Sequence, residues 1–168
     1  GSTGKPKGVL LKHSNLINFL YSFNSKFNNK FSEKDNCLSI TNISFDVSVC
    51  ELFVPLVFGS SLVLYEENTL TNINLLINTI IKNKVTFMYI PPNILQTLYE
   101  YLIDKKNDLK INKLLVGVES IKNSTLNNYY NLNKNIEIVN GYGPTESTIC
   151  CTFFKFSKTK NLNDNTVV

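Results

Sequence analysis

The stretch that decides the fold reads Asn140-Gly141-Tyr142-Gly143-Pro144-Thr145-Glu146, and a short apolar segment, Ile136–Val139, leads directly into it. The apolar segment predicts a strand. The two glycines and the proline predict a turn behind it, because these residues supply unusual or fixed backbone angles. In an open α/β sheet, ligands bind in the crevice outside the carboxyl ends of the strands. A loop at that place can offer Tyr142 for stacking, Thr145 for a phosphate oxygen and Glu146 for a metal ion.

The rest of the chain alternates between strand-like and helix-like segments. Strands are predicted at residues 37–40, 61–65, 85–90, 114–116 and 136–139, and helices at residues 15–27, 45–58, 73–81, 94–102 and 124–130. We expect Ser14 to be the N-cap of the first helix, the second helix to be buried, and the polar tail from Lys158 to be a loop. The alternation predicts an α/β fold with a mostly parallel, doubly wound sheet and right-handed crossovers.

Composition bounds the class of protein. The 168 residues, 43% of them hydrophobic, are enough for one α/β domain. The net charge is +4, but the basic residues are scattered lysines with no arginine, which disfavours a nucleic-acid partner. No segment approaches the roughly 20 apolar residues of a membrane span, and no secretory signal is visible. We therefore expect a soluble cytoplasmic protein without a membrane partner.

The cysteines do not suggest a metal centre. Cys37, Cys50, Cys150 and Cys151 form no Cys-x-x-Cys pair, and His13 is the single histidine. This pattern makes a zinc site improbable and favours buried free thiols. His13 itself precedes the first helix, where either a cap-region role or a phosphate contact is open.

Two further segments carry polar groups in a suggestive order. Gly1–Gly8 is rich in glycine, hydroxyl groups and lysine, and the backbone amides of such loops form concavities for anions. It lacks the Gly-Lys-Ser/Thr order of a Walker loop, and in isolation it reads equally well as a flexible terminus. In Phe45–Ser48, Asp46 falls in the first turn of a helix, where a carboxylate can simply cap backbone amides.

Taken together and in this order, the three motifs resemble those of the adenylate-forming (AMP-binding, acyl-CoA synthetase-like) superfamily, in particular the adenylation domains of nonribosomal peptide synthetases. The resemblance extends from residue 1 to about residue 154. It implies that ATP is the cosubstrate and that its binding residues are Ser2, Thr3, Gly4, Lys7, Asn140, Gly141, Tyr142 and Thr145.

The resemblance also implies individual roles in the Asn140–Glu146 motif. Tyr142 would stack on adenine and Asn140 would bind its edge. Thr145, which would contact the α-phosphate, and Glu146, which would hold Mg²⁺, are the expected catalytic residues. The structural alternatives are a turn tyrosine, a capping threonine and a solvated glutamate.

A second implied site is a pocket for the acyl substrate. Its expected lining is Asp46, Val47, Cys50, Tyr89, Leu115, Gly117, Gly141, Ile149 and Cys150. Asp46 is the one charged member, and pairing with a substrate α-ammonium group would offset the desolvation of its carboxylate. An amino acid with an apolar or aromatic side chain is therefore expected. One departure is Val118, which stands where the family commonly has the second glycine of Gly-Gly-Glu.

The implied activity is ATP-dependent formation of an aminoacyl-adenylate, followed by transfer to phosphopantetheine on a peptidyl carrier domain, expected in the same polypeptide. The family's ribose-binding aspartate motif and C-terminal lysine are not found in this sequence. We therefore expect residues 1–168 to be a partial adenylation domain, truncated at both ends and inactive alone. The alternatives are an acyl- or aryl-CoA ligase, which would have no use for Asp46, and a non-catalytic remnant or binding module.

Overall fold

The computed structural model describes residues 8–65, 72–117 and 119–166. Its centre is a six-stranded sheet formed by β1 (Asn36–Ser39), β2 (Ser61–Leu64), β3 (Phe87–Tyr89), β4 (Lys113–Gly117), β5 (Glu137–Tyr142) and β6 (Thr152–Phe156). The strands lie in the order β2-β1-β3-β4-β5-β6. The first five are parallel, and β6 pairs antiparallel with β5. The predicted α/β fold with a mostly parallel sheet is confirmed.

Helices cover both faces of this sheet. They are α1 (His13–Asn24), α2 (Val47–Phe58), α3 (Ile73–Lys82), α4 (Pro92–Leu102) and α5 (Asn123–Tyr129). Successive strand residues alternate between two apolar cores: Leu114 and Val116 pack with α3, α4 and α5, whereas Leu115 packs with α1 and α2. The sheet is doubly wound, as predicted, and none of the helices in the described ranges has the length and apolar character to cross a membrane.

The direction of winding reverses between β1 and β3. The chain passes from β1 to β2 on one side, and then returns to place β3, β4 and β5 in succession on the other side. In open α/β sheets, ligands bind outside the carboxyl ends of the strands at such a switch point. The ends of β3, β4 and β5 carry Tyr89, Gly117 and Tyr142, which all belong to the predicted sites.

Two expectations about helices are wrong. The first helix begins at His13, so Ser14 is not its N-cap; the N-cap is Lys12, whose backbone N–H donates to Asn15 Oδ1 at 2.9 Å. The amide of Asn15 thus performs the task that glutamate or glutamine performs in a capping box. The second helix is buried along one face only, because Leu56 and Val57 are exposed to solvent.

The strand before the central motif is longer than predicted. Asn140, Gly141 and Tyr142 do not form the start of a turn but continue β5, where they pair with Phe154, Phe153 and Thr152 of β6. The sequence reading missed β6 altogether. The local preference of glycine for turns is overridden by the ladder of hydrogen bonds that β6 supplies. The turn falls instead within residues 143–151.

A buried ion pair ties the amino-terminal ends of the strands together. Lys113, which begins β4, donates from Nζ to Asp35 Oδ1 at 2.6 Å, and the two side chains are 3% and 5% exposed. Asp35 also accepts hydrogen bonds from Thr86 Oγ1 at 2.8 Å and from the backbone N–H of Ser32 at 3.0 Å. The carboxylate therefore joins the segments that lead into β1, β3 and β4.

A buried carboxyl group performs a similar task at the opposite end of β1. Glu51 of α2 accepts at Oε2 from Ser39 Oγ (3.1 Å) and from the backbone N–H groups of Ile40 (3.0 Å) and Thr41 (2.9 Å). Thr41 Oγ1 donates to Oε1 at 2.9 Å. Burial raises the pKa of Glu51 above its ordinary value of about 4.5, and the hydrogen bonds offset this only in part. Glu51 thereby fixes α2, and with it Asp46, against the end of β1.

We predict that Lys113→Met destabilises the protein by about 3–5 kcal/mol, because it leaves the Asp35 carboxylate buried without its cation. Urea unfolding measures the loss. The double variant Asp35→Asn/Lys113→Met removes both charges and should recover part of it. A change of less than about 1 kcal/mol in Lys113→Met would show that the ion pair does not hold the strand ends together.

We predict that Glu51 makes stability depend on pH in a direction opposite to that of an ion-paired carboxylate. The pKa of Glu51 is higher in the folded protein than in the unfolded chain. Its contribution to stability is therefore fully present at pH values below the unfolded-state pKa, and is lost as the pH rises through the folded-state pKa. Glu51→Gln has no charge, and its one amide oxygen can still accept from the donors that now contact Oε2. The variant should therefore gain stability relative to wild type as pH rises.

The measurement is the free energy of unfolding of wild type and Glu51→Gln between pH 4 and 8. Glu51→Ala is the control for the hydrogen bonds: relative to Glu51→Gln, it should be less stable at every pH by about 1–3 kcal/mol for each buried donor left unsatisfied. A difference between wild type and Glu51→Gln that does not vary with pH would contradict the assignment.

Candidate functional site

Most of the expected acyl-pocket residues lie together under α1 and α2. Val47, Cys50, Tyr89, Leu115 and Ile149 all belong to one buried apolar cluster, and Cys150 packs against it. They come from α2, β3, β4 and the connection between β5 and β6. The structure thus brings together residues that are up to about a hundred positions apart in the sequence.

Two glycines allow the backbone to pass close to this cluster. Gly117 of β4 pairs with Gly141 of β5. A Cβ atom on Gly117, whose φ is 151°, would lie 2.0 Å from the carbonyl oxygen of Gly141. A Cβ on Gly141 would lie 2.8 Å from Cys150 Sγ and 3.3 Å from Leu115 Cδ1. These four expected pocket residues therefore pack against one another, and a side chain at either glycine position would clash with its neighbours.

The connection between β5 and β6 folds back onto the end of β5. A Cβ atom on Gly143 would lie 2.7 Å from Cys150 Cα, and the backbone N–H of Cys151 donates to the Tyr142 carbonyl oxygen at 2.9 Å. Thr148 and Ile149 have φ values of 66° and 71°, a left-handed conformation that is unusual for β-branched residues. This backbone conformation carries Ile149 into the buried cluster.

Asp46 lies at the mouth of the cluster and is half-buried. It occupies the N-cap position of α2, but its φ and ψ of −66° and −22° are helical and its side chain makes no capping hydrogen bond. Within the described part of the chain its carboxylate has neither a hydrogen bond nor an ion pair, so the alternative role as a helix cap is not realised. The carboxylate borders a cleft of about 240 Å³ whose other walls are Leu11, Lys12, His13, Leu16, Val49, Thr148 and Ile149.

Three titratable groups of the buried cluster, Tyr89, Cys50 and Cys150, are held neutral by burial. Burial raises the pKa of Tyr89 and of the Cys150 thiol to about 12 each, and the negative charge of Asp46 adds to both shifts. Burial also raises the pKa of Cys50. Glu51, which the sequence reading did not identify, also lies close enough to raise the pKa of Tyr89, but its oxygens are engaged by the donors from β1. The negative charge of Glu119 also contributes to the raised pKa of Tyr89. Of these carboxylates, Asp46 is the one that borders the apolar cleft and has acceptor capacity to offer a ligand there.

Side chains alternate between the two faces of the sheet along β5, so the residues of the central motif are divided between these faces. Asn140 and Tyr142 share the parity of Ile138, which faces α3, α4 and α5, whereas Gly141 shares that of Val139, which faces α1 and α2. The expected nucleotide-binding side chains and the expected acyl pocket therefore lie on opposite sides of one strand.

The two expected base-binding residues have different environments. The Tyr142 side chain is 47% exposed, so its ring is accessible for stacking. Asn140 is 1% exposed, and its Nδ2 donates to Thr166 Oγ1 at 3.0 Å. The structure thus gives Asn140 a protein partner that the sequence reading did not foresee.

The expected catalytic residues lie on a short 3-10 turn, Thr145–Ser147, and both are exposed. Neither side chain makes a hydrogen bond within the described ranges, so a capping role for Thr145 is not formed. Across these ranges no group of three or more histidine, cysteine, aspartate or glutamate side chains could hold a metal ion. A different kind of Mg²⁺ site needs only one carboxylate, such as that of Glu146, together with phosphate oxygens of a substrate.

The remaining expectations concern residues outside the described ranges, the four cysteines and His13. Ser2, Thr3, Gly4 and Lys7 lie outside the described residues, and so does Val118. The four cysteines are free, but only Cys37 and Cys50 are buried; Cys150 is half-buried and Cys151 is exposed, so the expectation of four buried thiols is wrong. The exposed His13 lies beside Asp46 in the cleft wall.

Comparison with solved structures supports the same fold. A nonribosomal peptide synthetase, FmoA3 (S1046A), superposes with a TM-score of 0.85 at 21% identity, over 95% of this chain and 17% of that chain. The adenylation domain AlmE of Vibrio cholerae, solved with glycyl-adenosine-5'-phosphate, superposes with a TM-score of 0.78 at 22% identity, over 97% of this chain and 30% of that chain.

Sequence relatives are long synthases, of which this chain matches a small part. A dimodular nonribosomal peptide synthase of Bacillus subtilis (strain 168) is 33% identical over 149 residues, which are 89% of this chain and 6% of the relative. Gramicidin S synthase 1 of Brevibacillus brevis is 31% identical over 158 residues, which are 94% of this chain and 14% of the relative.

The family model described as "AMP-binding enzyme" matches residues 1–167, nearly the whole chain. The resemblance carried by the three motifs is therefore confirmed, and the chain belongs to the AMP-binding enzyme family, within which it is similar to nonribosomal peptide synthetases.

Proposed function

We propose that this chain forms the nucleotide- and amino-acid-binding part of a domain that uses ATP to activate an amino acid as its aminoacyl-adenylate. The observation that carries the proposal is the Asp46 carboxylate, half-buried beside an apolar cleft and without a protein partner in the described part of the chain. A carboxylate in such a place is costly unless a cation joins it. The α-ammonium group of an amino acid supplies that cation, and the apolar walls suit its side chain.

The reaction requires positioning more than covalent help from the protein. An oxygen of the amino acid carboxylate attacks the α-phosphorus of ATP, a new P–O bond forms, and pyrophosphate leaves with the electrons of the broken bond. Such a step is accelerated by in-line placement and by neutralisation of phosphate charge. Thr145 would contact the α-phosphate, and Glu146 would bind Mg²⁺, which neutralises phosphate charge. Both lie on the exposed turn just beyond β5.

The placement of Asn140 and Tyr142 on one face of β5, and of Gly141 on the other, supports separate binding sites for ATP and the amino acid. ATP would bind with its base on Tyr142 and Asn140, on the face that carries α5, and with its phosphates against the Gly1–Gly8 segment. The amino acid would enter the cluster on the α1 and α2 face. The two substrates then meet where the strand ends, beside Thr145, without competing for the same space.

Pocket composition supports an apolar or aromatic amino acid. The thiols of Cys50 and Cys150 have raised pKa values and are neutral at physiological pH, so they offer no charge to pair with an ionic side chain. Gly117 and Gly141 add no side chain to the wall beside Leu115 and Cys150, where a Cβ atom at either position would clash with its neighbours. A charged side chain entering this cluster would remain unpaired, which is unfavourable.

The second half of the proposed activity is transfer of the aminoacyl group to the thiol of a phosphopantetheine arm on a peptidyl carrier domain. Support comes from the similarity to long synthases, of which this chain spans 6% and 14% in the two relatives described above. Residues 1–168 would then be one portion of an adenylation domain. Asp46 favours this function over an acyl- or aryl-CoA ligase, since an acid without an amino group gains nothing from it.

We predict that Asp46→Asn in the full-length protein lowers amino-acid activation about 150- to 5000-fold, because the substrate ammonium group loses its counter-ion at a cost of roughly 3–5 kcal/mol. Amino-acid-dependent exchange of pyrophosphate into ATP measures it, and the loss should appear in kcat/KM for the amino acid with little change in KM for ATP. The matched control is Asp104→Asn, at an exposed position away from the site. Undiminished exchange with the same amino acid would exclude the role of Asp46.

We predict that Glu146→Gln impairs Mg²⁺-dependent turnover more than it impairs binding of AMP. The reason is that AMP has no pyrophosphate for the metal ion to bridge, so the metal contributes less to its binding. The measurements are pyrophosphate exchange as a function of Mg²⁺ concentration and equilibrium binding of AMP. Glu33→Gln, at an exposed position before β1, is the control. Equal losses in both measurements would leave Glu146 without a metal-binding role.

A further inference from the structure

The cleft that Asp46 borders is lined by charges of both signs. Lys12 and His13 belong to its wall and are exposed, whereas the other lining residues are apolar apart from Thr148. The acidic and basic side chains come from separate elements: Asp46 directly precedes α2, and Lys12 and His13 lie where α1 begins. A ligand in this cleft therefore meets a carboxylate from one helix and basic groups from another.

These opposite charges are not paired with each other. In the described part of the chain, no ion pair within 4.0 Å joins Asp46 to Lys12 or to His13. Neither basic side chain donates a hydrogen bond to any other described group. Charges that are further apart than this at a solvated surface attract each other only weakly, because water and salt screen them. Both signs of charge are therefore available to a ligand.

The backbone of Lys12, and not its side chain, has the structural task at the start of α1. Its N–H donates to Asn15 Oδ1 at 2.9 Å, and its carbonyl oxygen accepts from the Asn15 backbone N–H at 2.9 Å. Both hydrogen bonds are retained when the side chain is substituted. The ammonium group is a positive charge with three donors at the end of a long flexible side chain, so it can follow a ligand without moving the helix.

We propose that Lys12 binds the α-carboxylate of the amino acid, so that the cleft recognises the whole zwitterion: the ammonium group pairs with Asp46 and the carboxylate pairs with Lys12. The inference rests on the proposed function, in which Asp46 receives the ammonium group. One carbon atom separates the two charged groups of an α-amino acid, so a single ligand bridges two protein charges that do not contact each other. The ring N–H of His13 can add a hydrogen bond to the same carboxylate.

The place of the cleft suits the proposed reaction. Thr148, in the wall of the cleft, directly follows the Thr145–Ser147 turn. A carboxylate held in this cleft therefore lies beside the turn whose Thr145 would contact the α-phosphate. The carboxylate keeps part of its charge as its oxygen approaches the phosphorus atom, so Lys12 stabilises the bound amino acid and the transition state to a similar degree. Its contribution should therefore appear in KM for the amino acid.

The test compares ligands that share one side chain. L-leucine is compared with isoamylamine, which lacks the carboxylate, and with isocaproic acid, which lacks the amino group; L-phenylalanine, phenethylamine and hydrocinnamic acid form an aromatic set. Calorimetry measures the binding of each ligand to the full-length protein. An amino acid that gives stronger pyrophosphate exchange than these two joins the test with its own amine and acid.

Lys12→Met should reduce the preference for the amino acid over the amine about tenfold, because one charge-assisted hydrogen bond is lost. The preference for the amino acid over the acid should remain, since Asp46 still receives the ammonium group. In pyrophosphate exchange, the variant should raise KM for the amino acid about tenfold with kcat little changed. A residue that only supported the fold of the cleft would alter both preferences.

Two further variants serve as controls. Lys12→Arg keeps the positive charge and should keep most of the preference for the amino acid over the amine. Lys82→Met removes an exposed lysine of α3, which packs on the opposite face of the sheet, and should change neither preference. An unchanged preference over the amine in Lys12→Met, or an equal change in Lys82→Met, would overturn the proposal.

The binding ratios keep this result distinct from the fate of the proposed function. Absence of exchange by wild type with every common amino acid would refute amino-acid activation. The role of Lys12 would still be decided: a wild-type preference for an amino acid over its amine that Lys12→Met abolishes supports it. Wild type that binds none of the tested amino acids more tightly than the corresponding amine refutes it.

Discussion

The close approach of two backbones at Gly117 and Gly141 is the constraint on which the rest of the site depends. A Cβ atom at Gly117 would lie 2.0 Å from the Gly141 carbonyl oxygen, so β4 and β5 can remain paired to their ends only with glycine there. Because β5 remains extended through Tyr142, its alternation is preserved, and Asn140 and Tyr142 lie on one face while Gly141 lies on the other. A turn beginning at Asn140 would have lost this division.

Three acidic side chains near the sheet show how their surroundings separate structural from functional roles. Asp35 is buried against a lysine, and Glu51 is buried against four donors with a raised pKa. Both are satisfied by the protein. Asp46 is only half-buried and has no such partner in the described part of the chain, although the apolar cleft beside it makes an isolated charge unfavourable. In the proposed function, the cost of leaving it unpaired is what would give it affinity for the ammonium group of the substrate.

The sequence predicted the helices and the parallel strands because their apolar periodicity is local. It missed β6 because the residues Thr152–Phe156 follow two cysteines without a turn signal, and it ended β5 early because glycine alone does not distinguish a turn from a close strand contact. Glu51 had a signal that went unused: it is the one charged residue in the apolar run Val47–Phe58. The grouping of Asp46 with Cys150 came from the family resemblance, since nothing in the spacing of residues so far apart predicts contact.

Tyr142 links the proposed nucleotide-stacking face to the proposed wall of the amino-acid pocket. Its ring is exposed on one face, while its carbonyl oxygen accepts the Cys151 N–H and so anchors the connection that carries Ile149 and Cys150. That connection holds Thr148 and Ile149 in a left-handed conformation, which costs free energy for β-branched residues and persists only where surrounding contacts maintain it. A base stacking on the ring would restrain the same residue that restrains the pocket wall.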